Sequence, residues 1–155
     1  MIKIKPAVIF AASGVLLALG AALILPSLPG GADQGIANGA ALYAQNCASC
    51  HGANLAGQAD WQKQKSDGTY PAPPHDESGH TWHHGDAMLT EYITIGGQAA
   101  LDKMGVAFKS GMPAFGTTLK PDQIADILLY LKSTWSDRAQ TFQASVTETE
   151  KLDQP

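Results

Sequence analysis

Apolar residues fall into one unbroken run and, further along, into short spaced stripes. Residues 7–25, AVIFAASGVLLALGAALIL, hold no charge. The run is longer than the roughly 7 to 15 residues of a signal-peptide core and close to the roughly 20 needed to cross a bilayer. Lys3 and Lys5 precede it. The pattern predicts an N-terminal hydrophobic helix whose start stays cytoplasmic while everything after Pro26 faces the other side. Its length favours an uncleaved anchor. PGGA, ending at Ala32, also offers the small residues that a signal peptidase reads, so cleavage before Asp33 is the alternative.

Past this leader the stripes have helical spacing. Ile36, Ala40, Tyr43 and Cys47 recur at i, i+4, i+7 and i+11. Gly39 lies beside them, and glycine inside a helix costs about 1 kcal/mol relative to alanine, so close approach of a second helix is the expected reason for it. The partner is the clearest helix in the chain: Ile124, Ile127, Leu128, Leu131 and Trp135 form one stripe, Pro121 suits the first turn, and Asp122 suits the positive end of the helix dipole. A shorter helix runs through GDAMLTEYITIGG, with Asp86 as its expected N-cap and Gly96 or Gly97 as its stop. The stretches 66–79 and 104–116 are rich in turn residues, and no alternating strand pattern appears.

These elements predict an all-α domain of about three to four short helices over residues 33–136, between a leader and linker (1–32) and a polar C-terminal tail (137–155). So few helices with long connections bury little apolar surface, and domains of this size often need a staple. Charge narrows the partners. Without Lys3 and Lys5, eight basic residues face 14 acidic ones, which argues against nucleic acid.

The two cysteines stand in Cys47-Ala48-Ser49-Cys50-His51, the CxxCH spacing of c-type haem attachment. Two thiols three residues apart at a helix end can both reach the vinyl carbons of one porphyrin edge, and the adjacent His51 can then offer an imidazole to the iron. Other readings fit less well. A disulfide would close too short a loop to stabilise much, and a thioredoxin-like pair needs a βαβ context. Zinc held by Cys47, Cys50 and two of His80, His83 and His84 has acceptable spacing, but it leaves the adjacency of His51, the leader and the thin core without a reason. A covalent haem accounts for all three.

With GAALYAQNCASCHG, the methionine of SGMPAFG and the final ILLYLKSTW, the chain resembles the monohaem class I cytochromes c over nearly the whole domain. PAPPHDESGHTWHH and the KSTW ending resemble a bacterial, membrane-associated subgroup. The resemblance implies a small fold wrapped around one covalent haem c, with the first and last helices crossing at the glycine. It further implies His51 as proximal ligand, Met112 as distal ligand, and Trp82 as a donor to a haem propionate. Thioether ligation independently suits a low-spin carrier iron. Met88, beside Leu89 in a helix, reads as a core gap filler, and Met104 lacks the following proline. The second N–H of a ligating histidine needs an acceptor. Ala53 stands where a proline might supply that loop, so the carbonyl is expected from the run Pro71-Ala72-Pro73-Pro74. The implied function is one-electron transfer on the periplasmic face of the inner membrane, between redox partners such as a terminal oxidase or a membrane dehydrogenase complex, with no catalytic residue; the alternative is the haem module of an oxidoreductase complex.

His75, His80, His83 and His84 fall within ten residues. One of them could replace Met112 as distal ligand. His80, His83 and His84 with Asp76 or Glu77 could instead bind copper or zinc. The plainer expectation is a lid over the haem edge with some pH sensitivity. Lys63, Lys65, Lys103 and Lys109 could ring a docking face, or be an ordinary solvated surface.

Overall fold

The computed structural model describes residues 30–152; the apolar run 7–25, and with it the predicted anchor helix, lies outside them. The described residues form six α-helices and no strands: α1 (Gly31–Asn46), α2 (Ala48–His51), α3 (Asp86–Ile95), α4 (Gly97–Lys103), α5 (Pro121–Ser133) and α6 (Asp137–Leu152), with a 3₁₀ turn at Thr81–His83.

The predicted crossing of α1 and α5 is the frame of the domain. All five apolar positions of the α5 stripe are buried, Trp135 just past its end included. On α1 the buried face is shifted by one residue from the expected stripe: Gly35, Gly39 and Tyr43 are buried, while Ile36 and Ala40 are only half covered. The shift follows from how near the helices come. A Cβ on Gly39 would lie 1.9 Å from the Asp126 carbonyl oxygen, so only glycine lets the backbones meet. α5 opens as expected with Pro121 in its first turn, and the Lys120 N–H donates to Gln123 Oε1 at 2.9 Å.

Two expectations change. Asp86 is not the N-cap of α3 but its first residue, pairing with Lys132 of α5. Residues 137–152 are not a tail but the helix α6. Its buried stripe, Ala139, Gln143 and Thr147, is small and polar, so hydrophobic periodicity could not reveal it. α6 docks on the start of α3 through specific bonds: Asp86 N–H to Thr147 Oγ1 (3.1 Å), Ala87 N–H to Glu150 Oε2 (2.9 Å), and Gln143 Nε2–H to Asp86 Oδ1 (2.7 Å) and the His84 carbonyl (3.2 Å). The orphan amides of α3 are thus capped from another helix, with a carboxylate at the positive end of the dipole.

Candidate haem site

Cys47 ends α1 and starts α2. Its own N–H still bonds the Tyr43 carbonyl (2.9 Å), while its carbonyl accepts from His51 N–H (2.9 Å), so the CxxCH segment is one tight turn bent off the end of α1. The Tyr43 hydroxyl ties the exit of this turn by donating to the Gly52 carbonyl at 3.0 Å. Both cysteines are free thiols, Cys50 exposed and Cys47 partly buried against the core. Burial, with the nearby Cys50 adding to it, pushes the Cys47 thiol up to about 11. A neutral thioether suits that position better than a thiolate.

His51 is 8% exposed, and its Nδ1–H donates to the Pro73 carbonyl at 2.9 Å. A carbonyl only accepts, so the proton sits on Nδ1 and Nε2 keeps its lone pair for a metal. Burial holds the ring below the ordinary histidine value, with the Pro73 bond opposing. The carbonyl comes from the proline run predicted for it, and Gly57 is what brings it near. With φ +67° and an imagined Cβ 2.6–2.8 Å from the Ala72–Pro74 backbone, Gly57 lets that run lie against the turn after His51; Gly57 N–H reaches the His51 carbonyl (2.8 Å) and Gln58 N–H the Ala72 carbonyl (2.9 Å).

Met112 is half-buried and packs against the same core as Cys47 and Ala48. Its loop is pinned at several points: Gly97 N–H to the Met112 carbonyl (3.1 Å), Met112 N–H to Ser110 Oγ (3.2 Å), Phe115 N–H to Ile93 O and Gly116 N–H to Thr94 O (both 2.9 Å). Met104 is 42% exposed and, with Met88, lines an open surface hollow beside Ile95 and Lys103. Of Met88, Met104 and Met112, only Met112 packs against the buried core cluster. Trp82 packs on that core too, but its indole N–H goes to the Glu77 carbonyl at 3.4 Å and its ring lies on His83 and edge-on to Phe142 of α6. The N–H that the resemblance assigned to a propionate is engaged locally.

The four loop histidines are dispersed. His80 stacks near Trp61, His83 lies on Trp82, and His84 is edge-on to His80 at 5.4 Å. Among the described residues no group of three or more metal-ligating side chains is gathered, so neither the loop copper or zinc site nor the Cys₂His₂ set is assembled. His75, the first histidine of the loop, stacks on His51 with centroids 3.9 Å apart. If His51 ligates a haem, a ring stacked beside it cannot lie across the porphyrin from it, so His75 does not fit as the distal ligand. Burial, then the neighbouring His51 and His80, brings His75 down to about 3, so it is neutral.

The family model for cytochrome c matches residues 36–135, about two thirds of the chain. The chain belongs to the cytochrome c family. Comparison with curated proteins and with solved structures gives no match. The matched segment spans the CxxCH turn, the Met112 loop and the α1–α5 crossing, and stops short of α6. Members of this family hold a covalent c-type haem, and this cytochrome c carries the residues for it in Cys47 and Cys50. The surroundings fit such a group: unpaired thiols, an imidazole with one nitrogen held and the other free, and a thioether on the same core. When bound, the haem supplies an iron that cycles between Fe(II) and Fe(III).

Proposed function

We propose that this cytochrome c is a one-electron carrier whose iron is held by His51 and Met112, working between respiratory redox partners on the periplasmic face of a bacterial inner membrane. The observation that carries the reading is the His51 bond to the Pro73 carbonyl, which leaves Nε2 as the free donor immediately after two unpaired thiols. Two strong-field ligands leave no open coordination position for substrate, which suits transfer rather than catalysis. The uncharged run 7–25 behind Lys3 and Lys5 supports a membrane tether, and the loop 71–84 supports kinship with the membrane-associated bacterial subgroup.

The lysines offer only a modest docking ring. Lys63 pairs with Asp60, Lys103 with Glu91, and Lys109 donates to the Asp67 carbonyl. The exposed apolar side chains of Met104, Val106 and Phe108, with Tyr70 stacked on Phe108, are the better candidate for contact with a partner. The test is optical. Purified ferric protein should show the near-infrared band of methionine-ligated haem, and Met112→Ala should abolish it while the haem stays covalently attached. A band that survives the substitution refutes the assignment of Met112.

A further inference from the structure

The reading of His51 as an axial ligand accounts for its bond to Pro73 but not for the second imidazole lying on it. The planes of His51 and His75 are 26° apart at a centroid separation of 3.9 Å. His75 is fixed by its main chain: its N–H donates to the Leu55 carbonyl (2.7 Å) and its carbonyl accepts from Trp135 Nε1–H (2.8 Å). The ring of Tyr43 meets it edge-on at 5.9 Å. Leu55, Trp135 and Tyr43 all belong to the buried core. The His75 side chain has no such tether of its own, since Nδ1 is buried without a hydrogen-bond partner. Stacking and backbone therefore set where this ring lies.

A single hydrogen bond to Nδ1 holds one edge of His51 and leaves the ring free to tilt about that contact. A flat surface fixed against one face removes the tilt. We propose that His75 is a positioning residue for His51, fixing the plane that the imidazole presents to a bound haem. The inference rests on His51 being the proximal ligand. It gives the first histidine of the loop a task distinct from those of His80, His83 and His84, whose aromatic contacts lie elsewhere.

The plane of an axial imidazole is readable without any activity. In low-spin ferric haem it biases the energies of the two iron d orbitals that overlap the porphyrin, and so moves the g-values in electron paramagnetic resonance and the order of the haem-methyl shifts in NMR. The experiment compares the full haem-loaded chain with His75→Phe, which keeps a flat ring, and His75→Leu, which does not. The expected result is g-values and methyl shifts close to the parent in His75→Phe and displaced in His75→Leu. Trp135→Phe, which removes the donor to the His75 carbonyl, should displace them in the same direction by less, and it stands in if His75→Leu fails to accumulate. Unchanged spectra in His75→Leu, or in Trp135→Phe where that variant stands in, overturn the proposal. So does a displacement in His75→Phe as large as that in His75→Leu, because the polar atom and not the stack would then matter. Loss of covalent haem from the unsubstituted chain would be a failure of the proposed function itself, and absence of its near-infrared band would be a failure of Met112 alone.

Discussion

Three glycines along α1 sit at graded distances from α5, and alanine should cost stability in the same order. An imagined Cβ on Gly31 meets nothing within 4 Å; on Gly35 it meets Asp126 Oδ1 and Leu129 Cδ1 at 3.0 Å; on Gly39 it meets the Asp126 carbonyl oxygen at 1.9 Å and carbonyl carbon at 2.5 Å. Intrinsic propensity favours alanine by up to about 1 kcal/mol at each position. At Gly39 that gain is opposed by backbone, which cannot swing aside as a side chain can. Ordinary contact begins at 3.4 Å, so the helices must part by about 1.5 Å locally.

A gap of 0.5–1 Å already forfeits a quarter to a half of a contact's well depth, and a buried leucine makes about 50 contacts of 0.1–0.2 kcal/mol each. The seam holds Tyr43, Ile124, Ile127, Leu128 and Leu131. Losing a quarter of the contacts of about two such residues costs about 3 kcal/mol, within the usual range for overpacking. Gly39→Ala is therefore destabilising by about 2 kcal/mol net, equivalent to a fall of roughly 1 M in urea midpoint. Gly35→Ala, opposed only by two side-chain tips, should be near neutral, and Gly31→Ala neutral or slightly stabilising. The assay is urea unfolding of the haem-loaded protein followed by far-UV circular dichroism. A Gly39→Ala midpoint at or above that of the parent refutes the reasoning, as does a series without rank order.

Further expectations concern the two supports around the site. Gly57→Ala forces a side chain into the Ala72–Pro74 backbone at a positive φ, so it should weaken the His51–Pro73 bond, lower the basicity of the ligand and raise the reduction potential; each 0.5 kcal/mol of differential weakening is about 20 mV in a redox titration, and an unchanged or lower potential contradicts this. Gln143 is 2% exposed and donates to Asp86 and the His84 carbonyl, so Gln143→Leu should cost about 1–3 kcal/mol in urea unfolding through the acceptors left unpaired. Docking of α6 should weaken in acid. His84 is held below its ordinary value, by burial first and then by His80 and His83, with Glu150 opposing; the unfolded chain therefore takes up protons below about pH 6.5 and stability falls. Asp86 adds to this at lower pH: burial acts to raise it, but Lys132 and Gln143 outweigh burial, so its stabilisation is full above about pH 3.9 and is lost as pH falls through its lower folded value. Hydrogen exchange of the α6 amides should speed up relative to α5 as pH falls, after correction for intrinsic rates; equal protection at pH 7 and pH 4 would count against it.

What could be read in advance was what is local or periodic. CxxCH is five consecutive residues, the α5 stripe repeats every turn, and Pro121 and Gly39 act where they stand; each kept its predicted place. The Pro73 carbonyl could be assigned to a run of four residues but not to one of them, because the choice depends on how Gly57 folds the chain back. The failures share a different cause. Asp86 looked like a cap from sequence because a carboxylate suits a helix start, but the caps of α3 come from about sixty residues away, and nothing local announces them. The partner of the Trp82 ring is equally remote in the chain: it meets Phe142 edge-on, in a segment that has no apolar stripe.

That segment, α6, bears on the candidate site through α3. α3 is a short rod with a task at each end. At its C-terminal end the carbonyls of Ile93 and Thr94 accept from Phe115 and Gly116, and so hold the loop that presents Met112. At its N-terminal end its first amides are capped by Thr147 and Glu150, while Asp86 is gripped by Lys132 and Gln143. An isolated helix of ten residues is marginal in water, because the cost of nucleation is spread over few bonds. The caps from α6 therefore stabilise the helix from which the methionine loop hangs. α6 lies beyond the segment that matches the family model. In this cytochrome c it secures an internal support whose own sequence, GDAMLTEYITIGG, supplies a stop at Gly96 but no side-chain cap at its start.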